Sequence, residues 1–155
     1  MSQQKNNSIQ YPYSKIYSVA ISITFSICLG IAIKFLIECI RNNDILGISV
    51  ATVMNLFFLS ALTFIVIKYL LPAIKGKIAL ELNNEGLVSY VKNVVVPWNA
   101  ISDMEYSIGK STSSIYIYFK WETDQGSQIR IQLQWIKGNE GKIYDTVRSY
   151  FERLG

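Results

Sequence analysis

The chain has no histidine and only two cysteines among its 155 residues. Histidine is the commonest metal ligand and the usual general base near neutral pH, so its absence removes most metal and acid–base chemistry. Cys28 and Cys39 both lie in one apolar run, where they cannot frame a disulfide-stapled domain or a metal cluster. We therefore expect a protein without metal, cofactor or catalytic residues, which is not an enzyme.

Charged residues are missing from two long stretches of the N-terminal half, Ile16 to Ile33 and Ile45 to Ile67. Each stretch reaches the ~18 apolar residues that favour a transmembrane helix over a core helix. Only a short polar segment separates the two helices, and Pro72 is expected to end the second one. The sequence thus predicts a two-helix transmembrane hairpin over residues 16–72.

A cleaved signal peptide is the rival interpretation of the first apolar stretch, because Lys5 and Lys15 precede it. However, the stretch is long, no small-x-small cleavage site follows it, and the second stretch comes almost at once. A retained membrane anchor is therefore favoured. Asn55, near the middle of the second helix, is expected to hydrogen-bond another helix, either within the hairpin or in a homo-oligomer formed through the transmembrane helices.

Lysine and arginine in the flanks of the hairpin indicate its orientation. Only Arg41 and the helix-edge Lys34 lie between the spans, whereas the lysines outside them are Lys5, Lys15, Lys68, Lys75 and Lys77. We expect both termini in the cytoplasm. Most of the net charge of +4 comes from the N-terminal half, where basic residues set the orientation of the hairpin. Nucleic-acid binding would instead need a basic face on the soluble part, so we expect no nucleic-acid partner.

The remainder of the chain predicts an α+β protein, with a polar N-terminal tail over residues 1–15 and a cytoplasmic β module over residues 76–155. From Ile78 onward the hydrophobic period changes to two, and Asn83–Gly86 reads as a turn in which the glycine takes a positive φ. In VVVPWNAI, a proline closes one strand and a short step leads into the next. Trp98 and Ile101 are expected beneath this corner.

A long hairpin and a helix complete the module. Alternation predicts two packed strand faces opposite polar ones, and a helix from about Asn139 to Arg153 carries a single apolar stripe. The packed faces comprise Ile115, Ile117, Phe119 and Trp121 on one strand and Ile129, Ile131, Leu133 and Trp135 on the other.

This order of elements resembles the pleckstrin-homology-like modules of small bacterial membrane proteins, in which such a module often follows a two-helix hairpin. The most specific element is Val96-Pro97-Trp98-Asn99-Ala100-Ile101, a hydrophobic-Pro-Trp-x-x-Ile corner before an acidic strand. The resemblance covers about residues 8–155. It implies an antiparallel sheet or open barrel capped by a C-terminal helix in a membrane setting, and it supplies no catalytic residues.

Two local patterns are compatible with chemistry, but a structural interpretation is favoured for both. Gly109-Lys110-Ser111-Thr112 ends like a phosphate-binding loop, yet Met104 stands where that motif needs its first glycine, and a strand follows. Asp103 and Glu105 share a strand face, yet no pocket to raise a carboxyl pKa is apparent around them. We expect a hairpin loop and a solvated face, respectively.

The solvent-facing side of the long hairpin combines aromatic and basic side chains. Tyr116, Tyr118, Lys120 and Arg130 fall on this side and form the candidate partner-binding face. We expect a non-enzymatic inner-membrane protein whose cytoplasmic module recognises a partner protein, such as a subunit of a membrane complex, or the membrane surface. The alternative is an immunity protein, which protects the cell against a secreted antibacterial toxin.

Overall fold

The structure is a computed structural model that describes residues 8–109, 112–123 and 126–155. The described chain forms two compact units. One is the helical unit Lys15–Lys75, and the other joins residues 8–14 to Gly76–Gly155. The helical unit is therefore an insertion in the chain of the second unit, which is called the β module below.

The helical unit contains two long helices, α1 (Lys15–Arg41) and α2 (Ile45–Ile65). α2 continues through a π-helical turn, Val66–Leu70, into a last helical turn, α3 (Leu71–Ile74). Pro72 therefore does not end the helix, contrary to expectation. A proline has no N–H and crowds the carbonyl four residues before it, and the wide π turn just before Pro72 is where the helix departs from α geometry.

Small side chains fill the interior between α1 and α2. Ala32 and Ala51 are 2% and 0% exposed, and Ser18, Ser22, Cys39 and Gly47 are also buried. The side-chain amide of Asn55 donates to the Ala32 carbonyl at 3.0 Å, which confirms the expected hydrogen bond between the helices. Small residues of this kind allow two helix backbones to approach closely.

The β module has two antiparallel sheets and a C-terminal helix, α4 (Glu140–Leu154). Strands pair in sequence order within each sheet. The first sheet comprises β1 (Ile9–Pro12), β2 (Ile78–Leu82), β3 (Gly86–Ser89) and β4 (Val94–Pro97), and the second comprises β5 (Ile101–Ile108), β6 (Ser113–Thr123) and β7 (Gly126–Gln132).

β1 corrects the expectation of a polar tail over residues 1–15. Tyr11 pairs with Leu80 of β2, and Tyr13 is only 6% exposed and forms a β-bridge with Ile136. The Tyr13 N–H also donates to the Lys77 carbonyl at 3.1 Å. Alternation over so few residues, interrupted by Pro12, gives too weak a strand signal to detect. Residues 1–7 of the expected tail lie outside the described residues.

The turn between β2 and β3 forms where expected, but not by the expected means. Asn83 Oδ1 accepts hydrogen bonds from the N–H groups of Glu85 and Gly86, both at 2.9 Å. Gly86 does not have a positive φ. A glycine is needed there because a Cβ would collide with the carbonyl oxygen of Val96 on the paired strand.

The corner after β4 is confirmed as a structural anchor. Pro97 ends β4, a single 3₁₀ turn spans Trp98–Ala100, and Trp98 is 1% exposed. Its indole N–H donates to the Asn83 carbonyl at 2.8 Å, and its ring lies 5.9 Å from that of Tyr150 on α4. The sequence therefore correctly placed an apolar anchor beneath the corner.

α4 covers the module as its apolar stripe predicted, with Ile143, Val147 and Tyr150 buried. Asn139 caps its first turn by accepting from the Lys142 N–H at 3.1 Å. Leu133 and Trp135 are buried as predicted, but they lie in a 3₁₀ turn that follows the end of β7 at Gln132. Trp121 was assigned to the wrong face, since it is 57% exposed. It follows Tyr118, where the regular pairing of β6 with β7 ends, so alternation no longer directs it to the core.

Candidate binding face

The outer face of the second sheet brings together residues from all three of its strands. Because side chains alternate across a strand, Tyr116 and Tyr118 of β6 point to the same side. Tyr116 lies opposite Glu105 of β5 on one flank and Arg130 of β7 on the other. The neighbouring row is Asp103, Tyr118 and Gln128. This surface, with Lys120, is called the binding face.

Arg130 is held over the tyrosine beside it. Its guanidinium carbon lies 5.6 Å from the centre of the Tyr116 ring, a cation–π distance. Its Nε donates to the hydroxyl of Ser114 at 2.9 Å, and Ser114 is only 1% exposed. The Nε group is thus occupied, while the side chain as a whole remains exposed. A guanidinium fixed in this way keeps other donors for a carboxylate or carbonyl of a partner.

Tyr118 is oriented by an acidic residue. Its hydroxyl donates to Glu105 Oε2 at 3.0 Å. This hydrogen bond, with smaller contributions from desolvation and the nearby negative charge, raises the pKa of Tyr118 above its ordinary value. The phenol therefore stays protonated at neutral pH and orients the carboxylate instead of acting as a base.

Lys120 is the one predicted site residue that the structure leaves apart from this network. It is exposed and lies beyond Tyr118, where regular strand pairing ends. Among the described residues it has no ion pair and no ring contact. Tyr116, Tyr118 and Arg130 are therefore brought together, whereas Lys120 extends the basic character of the face at its margin.

Asp103 and Glu105 belong to the binding face, which sequence reasoning missed. The sequence predicts a solvated strand face for the pair, without the tyrosines that the register places beside it. What places them beside the tyrosines is the register of β5 against β6, for example Glu105 with Tyr116. That register depends on the turn between the strands, and a pattern of alternation alone does not determine it.

The phosphate-loop pattern lies at that same turn. Gly109 donates its N–H to the Thr112 carbonyl at 2.9 Å, and the chain enters β6 at Ser113 instead of a helix. Lys110 and Ser111 lie outside the described residues. The described part of this segment thus has the geometry of a hairpin turn, without the helix N-terminus that a phosphate-binding loop requires.

Within the described ranges, no three histidine, cysteine, aspartate or glutamate residues are grouped so that they could hold a metal ion. The chain matches no protein-family model, no curated protein and no solved structure. Its function must therefore be inferred from the geometry of the binding face and of the helical unit.

Proposed function

We propose that this chain is a non-enzymatic protein of the bacterial inner membrane whose cytoplasmic module binds a partner protein through the binding face. The observation that carries the proposal is the ordered row Glu105–Tyr116–Arg130, with Tyr118 fixed beside it. Tyrosine and arginine are enriched among residues that dominate binding energy. Holding their side chains in place before binding reduces the entropy lost on association.

Membrane anchoring is supported by the exterior of the two helices. Both are long and apolar enough to cross a bilayer, and few of their residues are buried within the protein. In addition, the chain leaves the β module after Tyr13 and returns near Lys77, where the backbones are hydrogen-bonded at 3.1 Å. An insertion with adjacent ends suits two spans that leave and re-enter on one side of the membrane.

The orientation of these spans rests on the excess of lysine outside the hairpin. We expect a reporter fused after Gly155 to be active only in the cytoplasm and one inserted at Asn43 to report the opposite side. A periplasmic signal from the C-terminal fusion would contradict both the orientation and the class of partner.

A pleckstrin-homology-like fold is the family assignment that we propose for the β module. Seven antiparallel strands in two sheets, followed by a single covering helix, are the type of elements that this resemblance implies. The corner after Pro97, with Trp98 buried beneath it, supports the assignment further. Superposition of an experimental structure on known modules of this kind would test the assignment.

A protein is favoured over an anionic lipid as the partner of the binding face. Asp103 and Glu105 lie on this face beside Arg130, so its charges are mixed. Electrostatic attachment to anionic lipid usually needs a cluster of lysines and arginines. A partner with paired acidic and basic groups would match the row better.

Photocrosslinking in native membranes tests the binding face, with a matched pair of tyrosine variants. Tyr118 donates to Glu105 on the second sheet, and Tyr90 makes the same type of bond to Glu81 on the first sheet, at 3.1 Å. We expect Tyr118→Ala to lose the crosslinked partner and Tyr90→Ala to keep it, with the interaction then reproduced from purified components. Equal yields from both variants would exclude the binding face.

The immunity function stays a prediction from size and anchoring. Expression of the chain in cells challenged with a toxin encoded beside its gene would test it, since an immunity protein restores growth. The same Tyr118→Ala variant would show whether protection uses the binding face.

A further inference from the structure

The outer side of the second helix carries a shallow, open groove of about 560 Å³, lined by exposed residues of this helix and its continuation alone. Its walls are apolar, and the hydroxyls of Ser60 and Thr63 are the polar groups along it. Both hydroxyls donate to carbonyls within their own helix, at 2.8 Å to Leu56 and Leu59 respectively. Because these hydroxyls are already hydrogen-bonded within the helix, they need no polar partner from a ligand, and the groove suits a hydrocarbon chain.

Lys68 closes one end of this groove. Its ammonium nitrogen lies 5.2 Å from the centre of the Phe64 ring and 5.6 Å from that of Tyr69. The rings hold the charge at the groove. In the part of the chain that the structure describes, Lys68 has no carboxylate within ion-pair distance, whereas Lys34 near the opposite end of the hairpin pairs with Glu38 at 3.9 Å.

The depth of Lys68 matches the surface of a bilayer. A rise of 1.5 Å per residue places it about 34 Å along the helix from Ile45. The hydrocarbon core is ~30 Å thick, so a helix that crosses it brings Lys68 to the headgroups while the groove lies among the acyl chains.

We infer that this groove and Lys68 form a binding site for one anionic phospholipid. An acyl chain would lie along Leu56 and Leu59, and the headgroup phosphate would contact the Lys68 ammonium. An anionic lipid is favoured because Lys68 lacks an acidic partner, while a zwitterionic lipid carries its own cation beside the phosphate. The inference rests on the membrane anchoring proposed above and is independent of the binding face.

Native mass spectrometry of the purified full-length chain in detergent tests the site. Phosphatidylglycerol and phosphatidylcholine would be titrated separately, and we expect the first to bind about fivefold more tightly, which corresponds to ~1 kcal/mol. Lys68→Ala should abolish this preference. Lys34→Ala removes a lysine near the other end and should leave it unchanged. Equal binding of the two lipids, or equal effects of the two variants, would overturn the site.

Two further measurements separate the parts of the site. Ser60→Trp fills the groove and should weaken phosphatidylglycerol binding severalfold, so unchanged binding would exclude the groove. Excess sn-glycerol 3-phosphate should not displace the lipid, and displacement would show a site for free anions instead. Release of the chain from membranes by alkaline carbonate would refute the anchoring itself, a result distinct from loss of lipid preference.

Discussion

The β module and the helical unit bury opposite kinds of residue. In the module, most of the fully buried side chains are large, such as Trp98, Leu80 and Ile117. In the helical unit, Ala51 is 0% exposed, whereas Phe57 is 63% exposed. Most large apolar side chains of the helices thus face outward, with Ile65 as a buried exception, and the other buried side chains of α1 and α2 are small.

The proposed membrane anchoring accounts for this reversal, because the two surfaces would then meet different solvents. In water, burial of large apolar groups is the main driving force for folding. In a bilayer the lipid is as apolar as leucine, so helices associate through close packing of small residues and a few hydrogen bonds. Polarity therefore separates inside from outside in the module, whereas size does so in the helical unit.

The largest effect should come from removing β1 from the module. Residues 76–155 alone would lack the strand that pairs with β2. They would also lose the burial of the Tyr13 side chain, which contributes about 2 kcal/mol to the free energy of unfolding. A domain of this size is already only marginally stable. We expect this fragment to be unfolded by circular dichroism. A chain in which a short Gly-Ser linker replaces residues 15–75 should fold, since the Tyr13 N–H and the Lys77 carbonyl oxygen are 3.1 Å apart. Indistinguishable melting of the two chains would show that β1 is dispensable.

The two tryptophans Trp98 and Trp121 separate burial from residue type within the module. Trp98→Ala should cost ~3–5 kcal/mol because it leaves a cavity where a ring was packed. Trp121 is 57% exposed, and Trp121→Ala should change stability by less than about 0.5 kcal/mol. Thermal melting of the full-length variants measures both. A Trp98→Ala protein that melts like the unsubstituted chain would defeat the structural role of the corner.

Size, not polarity, should control the interior of the helical unit. Ala51→Leu inserts a large apolar group where the helices pack and should cost ~1–3 kcal/mol. Leu56 is 63% exposed, so Leu56→Ala should have little effect. Unfolding in mixed micelles of increasing sodium dodecyl sulfate, followed by circular dichroism, gives the two values. A greater loss from Leu56→Ala would mean that the outward and inward faces are exchanged.

The smallest effect concerns the binding face. The hydrogen bond from the Tyr118 hydroxyl to Glu105 raises the pKa of Tyr118. Glu105→Gln should therefore lower that pKa toward the ordinary value of about 10. Because the folded-state pKa is raised, the associated stability is present below pH ~10 and is lost as the pH rises through the folded-state pKa. Titration of the Tyr118 ring resonances by NMR gives the value. No change in the variant would place Glu105 away from the hydroxyl.

Strong local periodicity explains what was predictable from the sequence. The two uncharged stretches predicted the long helices, and the apolar stripe through Ile143 and Val147 predicted α4. Tyr116, Tyr118 and Arg130 were placed on one face because β alternation is local. In contrast, β1 is short and contains Pro12, and its partner β2 lies beyond the helical unit, so pairing could not be inferred from neighbouring residues.

Strand register and local helix geometry explain the remaining differences. Glu105 joins Tyr116 only because β5 and β6 pair with a particular offset. Trp121 leaves the core because pairing becomes irregular after Tyr118. Pro72 stays helical because a π turn precedes it. The first two outcomes depend on pairing between strands, and the third depends on backbone geometry within one helix; hydropathy along the chain contains neither.

Cysteine labelling provides a direct test that lipid surrounds the helical unit while water surrounds the module. Phe57 and Val95 are equally exposed in the protein, at 63% and 64%. Each would be changed to cysteine in a chain that lacks Cys28 and Cys39, and inside-out membrane vesicles would be treated with a membrane-impermeant maleimide. We expect rapid modification of Val95→Cys and none of Phe57→Cys until the vesicles are dissolved in sodium dodecyl sulfate. Modification of both at the same rate would contradict insertion of the helices in the membrane.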